Sequence, residues 1–125
     1  AQAAGTISTG IAEQATLIAI RDMEVSVSLG DPSLADCPII GCSDGFEKLT
    51  GYTRNEIIGQ NCRFLNKGMR MSPELRGRLR DATMNGAEFI GVIPNMRKNG
   101  KRFQNLLHMT MLMVKGKHYV IGVQA

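Results

Sequence analysis

A thiol set between a carboxamide and a guanidinium carries the most chemistry in this chain: Gly59-Gln60-Asn61-Cys62-Arg63-Phe64-Leu65. A free thiol with a pKa of roughly 8.5 is mostly protonated at neutral pH, and is then a poor nucleophile. Arg63 alone would depress that pKa, but a phosphate on its guanidinium would cancel most of the field at the sulfur. What remains is a resting thiol that needs an activating partner. Three further carboxamides, Asn95, Asn105 and Gln124, lie in the last third of the chain. A carboxamide offers both a donor and an acceptor, the complement of a ring edge that alternates N–H with C=O. Taken singly, each residue has a plainer reading. Cys62 is a small buried hydrophobe, Asn95 a bulge or edge residue, Gln124 a surface terminus and Arg80 a solvated helix charge. Their joint occurrence carries the chemical reading.

The elements that must position these residues follow from periodicity and punctuation. Ile11, Ala15 and Ile18 recur at helical spacing between Thr9 and Arg21, with Ser8 or Thr9 as cap, and predict a short amphipathic helix ahead of the domain. Val25, Val27 and Leu29 alternate with polar residues as in a half-buried strand. The turn Gly30-Asp31-Pro32-Ser33 then leads to a second strand at 38–42. Ser43 or Asp44 caps a helix that carries Phe46 and Leu49 and stops at Gly51. Short helical turns follow at 55–58 and 61–66, then a longer helix from Ser72-Pro73-Glu74 to Asn85-Gly86.

Residues 88–97, 101–114 and 118–124 read as strands, with Asn99-Gly100 as a type I′ hairpin signal and Lys115-Gly116 as a second turn. Two strands, several helices and a three-strand meander make an α+β domain with one antiparallel sheet, whose helices close one face over a pocket. On the long strand, period two places Asn105, Leu107, Met109 and Met111 on one face, and Gln104, Leu106, His108 and Thr110 on the other. The first face suits a flat heteroaromatic ligand with one polar edge. Met109 and Met111 read equally well as ordinary core filling.

With 125 residues, 43% of them hydrophobic, the chain has room for one domain, one core and one small ligand. No window reaches the roughly 18 apolar residues of a membrane span, and the run at 15–20 lacks a basic leader. The formal charge of +4 is spread along the chain with few aromatics between, so solvated charge is favoured over a nucleic-acid surface. Cys37, Cys42 and Cys62 are odd in number and form no CxxC pair. This argues against a disulfide framework or zinc site and for a reducing, intracellular and cytoplasmic setting. His108 and His118 are assigned no chemistry.

From about Val25 to Gln124 these motifs resemble the LOV domains, the flavin-binding blue-light sensors of the PAS superfamily. The resemblance implies a PAS-like five-stranded antiparallel sheet, with a flanking helix at 1–23 and the sensory domain at 24–125. It implies FMN as cofactor and a reversible bond in blue light between Cys62 and the flavin C4a. Asn61 and Arg63 would hold the polar tail, and Arg63 and Arg80 the terminal phosphate. Asn66 would lie beside the ribityl chain, in place of the usual glutamine. Asn95 and Asn105 would read the pyrimidine edge, and Leu107 would replace the common phenylalanine beside the ring. Gln124 would sit near N5 and carry the signal to the outer sheet face.

Further departures from the pattern are Lys67-Gly68 for Gly-Pro, Gln104 for an outer-face tryptophan, and Cys42 at a small-residue position, where a second thiol would approach the pocket. The short stretch from Cys62 to Arg80 lacks the insertion that admits FAD in some relatives. The expected partners are FMN, an effector domain of a longer protein or a separate effector protein, and a second copy in a homodimer. The chain has no initiator methionine and ends one residue after Gln124, as a piece of a larger receptor would. The resemblance thus implies a signalling module without turnover, and the competing reading is a light-insensitive PAS ligand-binding or interaction domain.

Overall fold

Capping chemistry sets most of the element boundaries in the computed structural model, which describes residues 2–125, with side chains from Gly10 onward. Helix α1 (Gln2–Arg21) leads into strands β1 (Ser26–Gly30) and β2 (Ile39–Cys42). The Ser43 hydroxyl accepts from Phe46 N–H to start α2 (Asp44–Thr50), which ends at Gly51 in the left-handed region. Thr53 and Glu56 form a reciprocal capping box on α3 (Arg54–Ile57). Asn61 caps a 3₁₀ turn at Cys62–Asn66, and Ser72 with Pro73 opens α4 (Pro73–Asn85). Strands β3 (Phe89–Met96), β4 (Arg102–Val114) and β5 (Lys117–Gln124) complete the chain. The sheet is antiparallel in the order β2-β1-β5-β4-β3, an α+β architecture as expected.

The two faces of the sheet do different work. On the inner face, Phe89, Ile93, Leu107, Met109 and Val120 pack with Ala82, Leu75 and Leu79 of α4. A neighbouring cluster joins Ile39, Phe46, Ile57 and Leu65 under α2, α3 and the 3₁₀ turn. On the outer face, Val27, Leu29 and Tyr119 pack with Leu17 and Ile20 of α1. Leu17 lies directly over Gly41, where a Cβ would fall 2.3 Å from Leu17 Cδ2 and would force that side chain aside. Among the described residues no helix is long and apolar enough to cross a membrane.

Several expectations need correction. Strand β1 is buried on both faces rather than one. Its apolar residues Val27 and Leu29 face α1, while Ser26, Ser28 and Gly30 take the inner side. The helix expected at Thr9–Arg21 runs through Ser8 and Thr9 instead of being capped by them. Ile11 and Ile18 are 62% and 67% exposed, and Ala15 is exposed too. The sheet-facing stripe is Glu13, Leu17 and Ile20, because apolar residues occur on two sides of α1 and only one side meets a complementary surface.

The hairpins exchange turn types. Type I′ requires positive φ at both central residues. Lys115 and Gly116 satisfy this at 50° and 81°, whereas in the other hairpin only Gly100 does, at 86°. There Gly100 N–H donates to Arg97 O and Arg97 N–H to Lys101 O, making a type I turn with a one-residue bulge. Asn99 Oδ1 accepts from Lys101 N–H and stabilises that form. Met111 shares the inner face with Met109 as the period predicts and reaches the end of α4, where a Cβ on Gly86 would lie 2.5 Å from its Cε, yet it is 42% exposed.

Glu13 anchors α1. Its carboxylate accepts from Tyr119 Oη–H and lies 3.5 Å from Lys117 Nζ, which also bonds the buried Asp31 at 2.9 Å. Burial, then the bond to Glu13, pushes the Tyr119 phenol up to about 12. A phenol raised above its ordinary 10 contributes stability that is complete below pH 10 and is lost as pH rises toward about 12. Proteolysis within α1 should therefore accelerate across that window, and Tyr119→Phe should already be cut faster at pH 8 and show a weaker dependence. Identical pH profiles for the two proteins would contradict the anchor.

Candidate functional site

Between the inner sheet face and the helical layer lies a cavity of about 450 Å³, and all nine residues singled out from the sequence line it. Asn61, Cys62, Arg63 and Asn66 come from the 3₁₀ turn and its cap, and Arg80 from α4. Asn95, Asn105, Leu107 and Gln124 come from β3, β4 and β5. The sheet therefore supplies a wall of carboxamides and apolar groups, and the helical side supplies the thiol and the cations.

On the sheet wall the carboxamides form a directed chain. Asn95 Nδ2 donates to the Pro94 carbonyl at 2.9 Å and to Asn66 Oδ1 at 2.5 Å. Asn95 Oδ1 accepts from Asn105 Nδ2 at 2.7 Å. Asn105 Oδ1 is buried and has no partner among the described residues. An unpaired buried acceptor costs about 1–3 kcal/mol. Asn95 and Asn105 are almost fully buried, so this acceptor can be satisfied only from the cavity. Leu107 is buried beside Ile93 and Met109 and adds an apolar surface.

At the rim, Arg63 and Arg80 are both exposed. Arg63 forms a bidentate pair with Asp36, with one bond at 2.8 Å, and the guanidinium holds the Asp36 carboxyl below its ordinary range. Arg80 forms no ion pair among the described residues. Asn61 is engaged by protein on both sides: Nδ2 donates to Asp36 O at 2.6 Å, and Oδ1 accepts from Arg63 N–H at 3.0 Å. Both bonds fix the turn that presents Cys62.

Burial pushes the Cys62 thiol up, with Arg63 a smaller opposing influence, so the sulfur stays protonated at neutral pH. The second thiol on the cavity is Cys37, not Cys42. Cys42 is buried under α2, away from the lining, with its carbonyl held by Arg54. Cys37 is pushed up to about 11, first by burial and then by Cys62. Sequence reasoning also missed Ser26 and Ser28. Ser26 Oγ–H donates to Gln124 Oε1 at 2.8 Å, and Gln124 Nε2 donates to Ser28 Oγ at 3.0 Å. Small polar residues on a strand assumed to be half-solvated gave no signal of a buried role.

These thiol states are open to test with iodoacetamide labelling read by mass spectrometry. Cys62 should react more slowly than free cysteine at pH 7 and gain rate only as pH passes its ordinary range. Cys37 should lag until pH nears about 11. Labelling of Cys62 at pH 7 faster than free cysteine would contradict a resting thiol.

A family model described as PAS domain matches residues 27–124. Phototropin-1A of Oryza sativa subsp. japonica is 44% identical over 107 residues, covering 84% of this chain and 12% of its own length. The blue-light photoreceptor of Listeria innocua is 36% identical over 109 residues, covering 86% of this chain and 43% of its own. The chain thus spans less than half of either relative. The Rhodobacter sphaeroides LOV protein structure superposes with a TM-score of 0.78 at 32% identity, covering 87% of this chain and 62% of that one. With the family model spanning most of the chain and relatives of this kind agreeing along it, the chain belongs to the PAS family, in its branch of blue-light-receptor LOV domains.

Proposed function

We propose that this domain is a blue-light sensory module that holds FMN in the cavity and, on illumination, bonds Cys62 reversibly to the flavin. The observation that carries the reading is the orphaned Asn105 Oδ1, buried on a carboxamide wall, in a cavity whose helical side bears a protonated thiol. That acceptor fits the imide N–H of a flavin, the apolar surface of Leu107 and Ile93 fits its ring, and Arg63 and Arg80 at the rim fit a phosphate monoester. Bound flavin would supply the blue absorption and, when excited, both an electrophilic carbon for the Cys62 sulfur and a basic ring nitrogen for the proton that the thiol gives up, the two returning together in darkness.

The chain's own residues account for the remainder. Asn66 and the Pro94 carbonyl fix the polarity of Asn95 and so of Asn105. Asn61 and the Asp36 turn hold the segment that bears Cys62. Arg63 must share or release Asp36 to take a phosphate, and an ion pair between two exposed groups exchanges readily. Cys62 keeps its proton until light arrives, so the resting site is chemically silent.

Residues 24–125 act as the sensory domain and 1–23, which include α1, as its flanking segment. The module itself performs no turnover; its output passes to an effector. The outer sheet face offers a place for one: Ile90, Val92 and Leu106 are all more than half exposed there, with Val92 paired directly to Leu106.

The test is the visible spectrum of the FMN-loaded protein before and after a blue flash, with Cys62→Ala alongside. The parent should lose its blue band and recover it in darkness, while the variant stays coloured and fluorescent. A protein that takes up no flavin would support the light-insensitive PAS reading instead, and bleaching that persists in the variant would move the chemistry to Cys37.

A further inference from the structure

Gln124 is held in an unusual way for a residue on a ligand cavity. Its carboxamide is bonded at both ends to protein, to Ser26 through Oε1 and to Ser28 through Nε2. All three residues are buried, at 7%, 6% and 7% exposure. Ser26 and Ser28 sit two apart on β1 and so share its inner face, with Ser26 directly opposite Gln124 and Ser28 opposite Gly122. The space above Gly122 is where the amide meets Ser28: a Cβ there would lie 2.9 Å from both Gln124 Nε2 and Ser28 Oγ. Ser28, Gly122 and Gln124 line the cavity, and Ser26 reaches it only through its bond to Gln124.

We propose that Ser26 and Ser28 form a hydroxyl cradle that keeps the Gln124 carboxamide hydrogen-bonded in either of its two orientations, making them positioning residues for this side chain. The argument is one of donor and acceptor count. Turning the amide by half a revolution exchanges its acceptor and donor ends. A backbone carbonyl or N–H beside it could serve only one orientation, and a valine neither. A hydroxyl carries one rotatable donor and two acceptor lone pairs, so after the turn Ser28 donates to Oε1 and Ser26 accepts from Nε2. Both orientations then keep two buried hydrogen bonds, and a cavity ligand that changes from acceptor to donor near Gln124 can select either without orphaning a polar atom. Gly122 leaves the amide room to turn.

The inference deepens the flavin reading and rests on it only for the identity of that ligand. Its test therefore has one arm without flavin. In the ligand-free chain, NMR should show the Gln124 side-chain amide protons protected from solvent exchange. Protection should fall at least tenfold in Ser28→Ala and in Ser26→Ala, and Ser28→Thr, which keeps the hydroxyl, should restore it. In the FMN-loaded chain, infrared light-minus-dark spectra should contain a Gln124 carbonyl band, assigned by its loss in Gln124→Leu. That band should shrink in Ser28→Ala and return in Ser28→Thr, with dark recovery altered at least fivefold in the alanine variant. Unchanged protection, carbonyl band and recovery in both alanine variants would overturn the cradle while leaving the photosensor standing. Absence of any light response in a flavin-loaded parent would instead remove the reading beneath it, and the exchange data would still decide the cradle.

Discussion

The Pro94 carbonyl can only accept a hydrogen bond, and from that fact the polarity of the whole sheet wall follows. Because Pro94 O lies beside the Asn95 carboxamide, the Asn95 nitrogen must face it, and the same nitrogen reaches Asn66. The Asn95 oxygen is thereby turned toward Asn105, which must offer its nitrogen in return. The chain of amides ends in a buried oxygen that the protein leaves without a donor. A small protein tolerates such an orphan where something outside the chain can satisfy it, so on the proposed reading the fixed polarity asks the ligand for an N–H at this point.

The surrounding architecture maintains that specification. Strand β1 has no solvent face, because α1 covers its apolar side and the cavity its polar side. The serines that would ordinarily meet water meet Gln124 instead. The same strand that presents Ser26 and Ser28 inward presents Val27 and Leu29 to α1, and β5 presents Gln124 inward and Tyr119 outward. On the proposed reading, a change in the Gln124 amide would act on β5, which carries Tyr119 and the Glu13 anchor on its other side.

Much of this was legible in the sequence because local rules and global fold agree. Ser43, Ser72-Pro73, Gly51 and Gly86 punctuate the helices as their chemistry requires, and the period-two reading placed Asn105 and Leu107 on the cavity face. Two of the readings that went astray share one cause, the contribution of distant elements, and a third has a local one. Which stripe of α1 is buried depends on what the outer sheet face offers, with Val27, Leu29 and Tyr119 receiving Leu17 and Ile20, and periodicity cannot see that. Cys37 rather than Cys42 reaches the cavity because the turn through Asp36 and Cys37 is tied to Asn61 across 24–25 residues of sequence. The hairpin at Asn99-Gly100 follows a side-chain bond that competes with the usual preference of that dipeptide.

The central claim is that Asn105 Oδ1 is an acceptor awaiting a ring imide, and binding of two flavins by the ligand-free chain tests it most directly. FMN and its N3-methylated analogue differ at the one atom the orphaned oxygen would contact. The account predicts that FMN binds at least tenfold more tightly, about 1.4 kcal/mol, and that Asn105→Ala narrows the gap. Equal affinity for the two flavins would contradict it.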